Sequence, residues 1–255
     1  MIELKTLDML DYLDELNEKN IKPDLILCDL PYNVSECSWD CEIDLELFWK
    51  KLNPIISDNT PIVLFGTEPF SSALRLSNLS KYKYDWIWDK EQGTNQFMKN
   101  KQPLRKHENV SVFYDKQCKF NKVIVNSWRR EIKYRQETKY DVIGFESKEK
   151  TNYDSKGLKE PVTILPFNRP HWREGKYHNT QKPIKLCNYL IQTYTDKNDI
   201  VIDLCYGSGT TAVSCKQLGR NFYGTDNGVC DKKNEFYGKS WKEVAEYRME
   251  GGNDN

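Results

Sequence analysis

The segment Asp24-Leu25-Ile26-Leu27-Cys28-Asp29-Leu30-Pro31-Tyr32-Asn33 passes from an apolar run to polar residues within a few positions. Leu25 to Cys28 is short, apolar and preceded by Pro23, the pattern of a strand buried on both faces of a parallel sheet. Asp29 then falls at the carboxyl end of that strand, where open α/β sheets place their ligands. Pro31 has a fixed φ and restricts Leu30 to extended geometry, which holds the Leu30 carbonyl in one direction. Tyr32 adds a flat ring. A carboxylate, an oriented carbonyl and an aromatic face together suit a planar group bearing an NH2. The same residues also suit an ordinary turn whose Asp caps something local.

Outward from this segment, strand and helix patterns alternate. Leu7, Leu10, Leu13 and Leu16 predict a short helix after a first strand, with Leu7-Asp8 at the joint. Asp44 to Leu52 reads as an amphipathic helix ended by Pro54, and Ile62 to Phe65 as a second buried strand. A helix opening at Glu68-Pro69-Phe70 and strands at Tyr84–Trp88 and Glu108–Tyr114 follow. Pro183 starts a helix to about Tyr194, Asp199 to Leu204 is a strand, and a glycine turn leads into a helix ending near Leu218. Asn221 to Asp226 is the next strand, and Ser240 with Glu243 forms a capping box for a last helix. This alternation predicts an α/β fold with a doubly wound, mostly parallel sheet.

From 115 to 163 the pattern breaks. The stretch is polar, its apolar residues have no clean period, and a plain loop of that length is unusual. It reads as a small inserted region in a chain that is otherwise one domain, 1–255. Trp128-Arg129-Arg130-Glu131-Ile132-Lys133-Tyr134-Arg135 interleaves aromatics with cations, as nucleic-acid surfaces do and as a solvated face also can.

Composition narrows the classes. In 255 residues, 38 Lys and Arg balance 38 Asp and Glu, so any nucleic-acid contact must come from local clusters rather than from an overall basic field. A mean hydropathy of −0.78 and no long apolar run argue against a membrane span. The N-terminus lacks a signal-peptide pattern, and eight scattered cysteines suit reduced thiols in a cytoplasm. Cys37 and Cys41 are four apart, but no second Cys/His pair completes a metal site.

Asp203-Leu204-Cys205-Tyr206-Gly207-Ser208-Gly209-Thr210-Thr211-Ala212, with Asp226 further on, matches the generic dinucleotide fingerprint. Asp203 argues against NAD. At the strand end, just before the loop, its charge would repel a pyrophosphate but could hold an ammonium. A cofactor carrying an amino acid and a ribose without phosphates fits better, and S-adenosylmethionine has that composition.

Three segments in this order resemble the β-class amino-methyltransferases that act on exocyclic amino groups of DNA: Asp29-Leu30-Pro31-Tyr32, His178-Asn179-Thr180-Gln181-Lys182-Pro183, and the loop from Asp203 to Thr211. Arg105-Lys106-His107-Glu108 is similar to a segment that precedes a strand in the same enzymes. The likeness is greatest to short adenine methylases of phages and mobile elements, and it covers nearly the whole chain outside the insertion, which falls where the family keeps its target-recognition region.

The resemblance implies base flipping and direct methyl transfer. Asp29 and the Leu30 carbonyl would accept from the target amino group, with Pro31 fixing the turn and Tyr32 stacking on the base. Thr180, Gln181 and Lys182 would hold the methionine end of S-adenosylmethionine, with Asp203 and the backbone of Gly207, Ser208, Gly209 and Thr210. Asp226 would take the ribose, and Asp8 the cofactor's adenine. Cys205 stands where the family often has Phe, so stacking on that adenine must be weaker or come from elsewhere. Arg105, Lys106, Arg129, Arg130 and Arg135 would contact DNA, and no metal is needed.

N6-adenine is the expected product, with N4-cytosine as the alternative. A silent nucleic-acid-binding relative would have lost Asp29 or Tyr32. C5-cytosine chemistry needs a Cys nucleophile, and no Pro here precedes Cys. The expected setting is the cytoplasm of a bacterial host. The chain is expected to act alone or as a homodimer.

Overall fold

The computed structural model describes residues 1–32, 42–123, 125–126, 158–171, 176–230 and 236–251. These divide into two compact units, Met1–Asn121 with Thr163–Asn255, and Lys122–Val162.

The larger unit begins with β1 (Ile2–Lys5), α1 (Met9–Glu18) and β2 (Leu25–Cys28). It continues through α2 (Leu45–Leu52), β3 (Ile62–Gly66), α3 (Phe70–Ser77), β4 (Tyr82–Thr94) and β5 (Arg105–Phe113). In the smaller unit, β6 (Val125–Asn126) pairs antiparallel with β7 (Leu158–Lys159), Val125 opposite Lys159. The larger unit resumes with β8 (Ile164–Pro166), α4 (Ile184–Tyr194), β9 (Ile200–Asp203), α5 (Thr210–Leu218), β10 (Asn221–Thr225) and α6 (Trp241–Met249).

Eight strands form one sheet in the order β1-β10-β9-β2-β3-β5-β4-β8. Only β5 runs against the rest. It reverses because only a connection with a single 3-10 turn, Gln96–Met98, separates β4 from β5, and a short connection can join only antiparallel strands. From β9 the chain moves outward to β10, and from β2 it moves the other way to β3. The boundary between β9 and β2 is therefore the topological switch point, where a crevice opens at the carboxyl ends of the strands.

Alternation along the strands divides the core. Ile26 and Cys28, Ile62 and Leu64, and Ile202 and Leu204 pack with Tyr12, Leu13 and Leu16 of α1, Phe48, Trp49 and Leu52 of α2, and Leu74 of α3. Their buried neighbours Leu25, Leu27, Val63, Phe65 and Val201 point to the opposite face. Polar atoms of the interior aromatics are satisfied: Trp86 Nε1 donates to Tyr194 Oη at 2.7 Å, and Trp88 Nε1 to the Phe167 carbonyl at 2.7 Å.

Two elements depart from the sequence pattern. β4 extends to Thr94, well past Trp88, because its later half forms a polar hairpin with β5 where the apolar alternation ends. β8 closes the sheet edge, with its Pro166 on an outermost strand where no ladder donor is needed. Residues 115–121, expected within the insertion, belong to the larger unit. There Asn121 donates to backbone carbonyls of Gln192, Thr193 and Thr195 around the end of α4. Arg129, Arg130 and Arg135 lie outside the described residues, as do Cys37 and Cys41.

Candidate active site

The carboxyl ends of β2 and β9 are adjacent and each carries an acid: Asp29 just past β2, and Asp203 as the last residue of β9. Both line one cleft that opens to solvent. Thr180, Gln181, Lys182, Cys205, Gly207, Ser208 and Thr210 line it as well, together with Thr211, His178 and Phe65.

Asp29 is held from two sides. The Tyr32 hydroxyl donates to Oδ1, and Lys182 Nζ donates to Oδ2. Lys182 is buried, and its ammonium also lies 3.4 Å from Glu108 Oε2 and 5.1 Å from the centre of the Phe65 ring. Glu108 in turn pairs with the buried Lys90 at 2.6 Å. Burial opposes charge on both Glu108 and Lys182, yet the opposite charges outweigh it. Lys182 and Lys90 hold the Glu108 carboxyl below its ordinary value, while Asp29 and Glu108 hold Lys182 above its own. Burial and the nearby Asp29 push the Tyr32 phenol well up. The Tyr32 ring stacks on Phe70, centroids 5.1 Å apart. Leu30 turns its side chain into the core, so only its backbone faces the site side of the turn.

The loop after β9 is built around two acids. Asp203 is buried, and accepts from the Thr211 hydroxyl at 2.6 Å and the Cys205 N–H at 3.1 Å. Burial raises its carboxyl to about 7 in spite of those donors. Asp226, just past β10, accepts from the Gly207 N–H and the Gly228 N–H, each at 2.8 Å, and burial raises it too. Gly207 and Gly209 have φ of +52° and +80°, backbone that L side chains rarely adopt. A Cβ on Gly209 would also lie 2.5 Å from the Ala245 Cβ of α6.

The turn before α4 reaches this loop through Gln181. Its Oε1 accepts from the Tyr177 N–H at 2.8 Å and from the Ser208 hydroxyl at 3.2 Å. Thr180 Oγ1 pairs with His178 Nδ1 at 2.8 Å and is exposed. Asp8 caps α1 through the Leu10 N–H at 2.8 Å. It is pinned beside the end of β10, because the Thr225 hydroxyl bonds both the N–H and the carbonyl of Leu7. Arg105 is exposed at the start of β5, and Lys106 pairs with Asp89 at 3.1 Å.

Four contributors carried no separate signal in the sequence. Glu108 stood inside a quoted motif, but nothing in the motif set it against Lys182. Lys90 belongs to a polar hairpin, and Phe70 to a helix start. Arg248 of α6 looks like a lone surface cation in the sequence, yet it is 2% exposed. Its Nη1 donates to the Ser208 carbonyl at 2.6 Å, Ser208 Oγ at 3.1 Å and Thr210 Oγ1 at 3.2 Å. Among the described residues, no group of His, Cys, Asp and Glu could hold a metal ion, and no helix is long and apolar enough to cross a membrane.

Comparison with known proteins agrees with this geometry. A family model described as DNA methylase matches residues 23–229. The type II methyltransferase M1.MboII of Moraxella bovis is 28% identical over 254 residues, 88% of this chain and 91% of that protein. M.HindIII of Haemophilus influenzae is 39% identical over a shorter stretch of 77 residues, 26% of this chain and 25% of its own. Among solved structures, the M1.HpyAVI–SAM complex superposes with a TM-score of 0.64 at 21% identity, over 98% of this chain and 99% of that one. The cytosine-N4-specific PvuII DNA methyltransferase superposes with a TM-score of 0.62 at 12% identity, over 98% and 93%.

Proposed function

The chain belongs to the DNA methylase family, whose members are SAM-dependent amino-methyltransferases, and on that premise we propose that it methylates the exocyclic N6 of adenine in DNA. The observation that carries the proposal is the pairing of Asp29 and Asp203 at adjacent strand ends, lining one cleft at the switch point.

The cleft suits S-adenosylmethionine. It offers a buried carboxylate at Asp203 for an ammonium, and a glycine loop open enough that a Cβ on Gly207 would meet nothing within 4 Å. Asp226, which does not itself line the cleft but accepts from the Gly207 N–H of that loop, is the candidate for a ribose diol. Each Asp226 oxygen already takes one backbone N–H, and a carboxylate has about four acceptor sites, so two remain. When bound, the cofactor supplies an activated methyl on a sulfonium. Gln181 ties the turn before α4 to Ser208, which keeps the two walls of the methionine end in register.

The target base leaves the stack, at a cost of a few kcal/mol, and enters beside Asp29. Asp29 still has acceptor sites free after Tyr32 and Lys182 have taken theirs. It and the Leu30 carbonyl accept the two amino N–H bonds, which turns the nitrogen lone pair out of conjugation and toward the methyl. Tyr32, backed by Phe70, presents its ring to the base. Lys182 lies against Asp29, and because Glu108 shares the ammonium its charge is divided between two carboxylates. After transfer, the surplus proton leaves the nitrogen along its bond to Asp29. Positioning and electrostatics do the work without a covalent intermediate.

Adenine is favoured because Asp stands at position 29, where N4-cytosine members of the resembling family more often carry Ser. The test is to incubate purified protein with SAM and unmethylated DNA, then separate the nucleosides by mass spectrometry. N6-methyladenine is expected. N4-methylcytosine alone would overturn the choice of base, and no methylated nucleoside would overturn the activity.

A further inference from the structure

We propose that the β4–β5 hairpin is a DNA-gripping arm in which Phe97 stacks against bases beside the target while neighbouring cations hold phosphates. This deepens the DNA reading above and rests on it.

The hairpin starts inside the site and ends in solvent. β3 finishes at Gly66 opposite Asn109, but β4 and β5 pair onward to Thr94 opposite Arg105. At about 3.3 Å per residue, the four residues from Asn109 to Arg105 carry the arm roughly 13 Å past the edge of β3. They extend it on the side of the sheet where β2 and β9 end. At its root Glu108 is one ammonium away from Asp29, through Lys182.

At its tip stands Phe97, 99% exposed, whereas the next most exposed large apolar side chain among the described residues is Leu76 at 72%. The tip is not slack. Asn95 is left-handed, its carbonyl accepts from the Met98 N–H at 3.0 Å, the Met98 carbonyl accepts from Lys101 at 2.8 Å, and Thr94 Oγ1 donates to the Arg105 carbonyl at 2.9 Å. This backbone holds the ring out in water, with no cover from the described residues.

Charge identifies the partner. Over residues 91–107 the exposed cations Lys99, Lys101, Arg105 and Lys106 face a single acid, Glu91, in a chain of zero net charge. Lys106 spends part of its charge on Asp89, which leaves Lys99, Lys101 and Arg105 for phosphates. An exposed aromatic ring followed closely by cations, on an arm rooted one ammonium away from Asp29, matches how proteins stack on unpaired bases or wedge between base steps.

The experiment measures steady-state methylation of unmethylated plasmid DNA, with tritiated SAM, by the full-length wild type, F97A, F97W and K99A/K101A. The mutated side chains are exposed, so the variants should fold, and circular dichroism verifies it. F97A should lower kcat/KM for DNA by about tenfold to a hundredfold, the usual effect of a lost base–aromatic stack, with the KM for SAM unchanged. F97W should restore activity to within about threefold. K99A/K101A should make the slope of log kcat/KM against log salt about two units shallower, at roughly 0.9 per phosphate contact.

Wild-type kinetics on DNA in F97A and in K99A/K101A would overturn the proposal. So would an F97A protein with normal DNA kinetics that sediments as a monomer where the wild type is a dimer, because the tip would then be a contact between copies. A wild type that leaves DNA unmodified would instead overturn the underlying DNA activity.

Discussion

Lys182, on the turn before α4, makes an ion pair with Asp29, on the loop after β2, across 153 residues of chain. The pair joins two motifs that in sequence look like separate devices, one for the base and one for the cofactor. It is buried on the lysine side and is shared with Glu108, which Lys90 balances. Two anions and two cations make a neutral cluster, the form in which buried charge is tolerated. The proposed base site and the proposed cofactor site are therefore electrostatically coupled before any ligand arrives.

That coupling makes Glu108 a positioning residue. Glu108→Gln keeps the shape but leaves Lys182 to Asp29 alone, so the ammonium neutralises Asp29 more fully and weakens it as an acceptor. A charged hydrogen bond contributes about 1.5–3 kcal/mol, so kcat should fall about tenfold to a hundredfold. The KM for SAM should stay within about twofold to threefold, a change of roughly 0.4–0.6 kcal/mol. An equal rise in the KM for SAM with kcat intact would place Lys182 on the cofactor side instead.

Asp29→Ala should abolish turnover while SAM still binds within about tenfold, or 1.4 kcal/mol, in calorimetry. The substitution also strands Lys182 beside Glu108. Since breaking a buried pair typically costs about 3–5 kcal/mol, the melting temperature should drop. Asp29→Asn keeps the shape and gives the cleaner kinetic result. Loss of SAM binding with chemistry intact at saturation would remove Asp29 from its assigned role.

Arg248 should act on the cofactor loop alone. It bonds the Ser208 carbonyl and two hydroxyls from behind, while Ala245 blocks any larger residue at position 209. Arg248→Met should raise the SAM dissociation constant by about tenfold or more, the loss of a charged donor being about 1.5–3 kcal/mol. At saturating SAM, kcat should change little. Arg248→Lys should recover only part of the affinity, because an ammonium cannot reproduce the planar fork. Unchanged affinity in Arg248→Met would mean that the loop holds its shape unaided.

The sequence carried most of the fold because buried parallel strands and their caps are local signals. Leu25 to Cys28, Ile62 to Phe65 and the Ser240–Glu243 box each appear where the pattern puts them. Antiparallel β5 and the long β4 were illegible for one reason: the hairpin's outer half is polar, and the side-chain ties across it, Lys90–Glu108, Lys106–Asp89 and Thr94–Arg105, follow no apolar alternation. In the site, the motifs placed Asp29, Gln181, Asp203 and Ser208 at one cleft. They could not show that Lys182 turns to Asp29, since an ion pair across 153 residues leaves no trace in spacing. Arg248 was invisible for the converse reason, a buried cation on a helix whose exposed face is equally polar.

The last prediction concerns pH. Burial holds the Asp203 carboxyl near 7, against about 3.9 for an unperturbed Asp. Below 7 the group is mostly neutral and a poor partner for an ammonium; above 7 it is mostly ionised. If it binds the amino end of SAM, the dissociation constant should fall about tenfold per pH unit between roughly 5.5 and 7, because binding then releases one proton. Above that range the curve should flatten. The stability effect has the opposite sign. From about pH 4 to 7 the folded chain holds a proton at Asp203 that the unfolded chain has lost, so this group makes the protein less stable as pH rises through that window. Asp203→Asn should remove both effects, giving weak SAM binding that no longer varies with pH in this range and a melting temperature that declines less from pH 5 to 7. Calorimetric titration of SAM and thermal melts across the same buffers measure the two effects in one series. A dissociation constant that is flat across that range in the wild type would show that Asp203 only braces Thr211 and the loop.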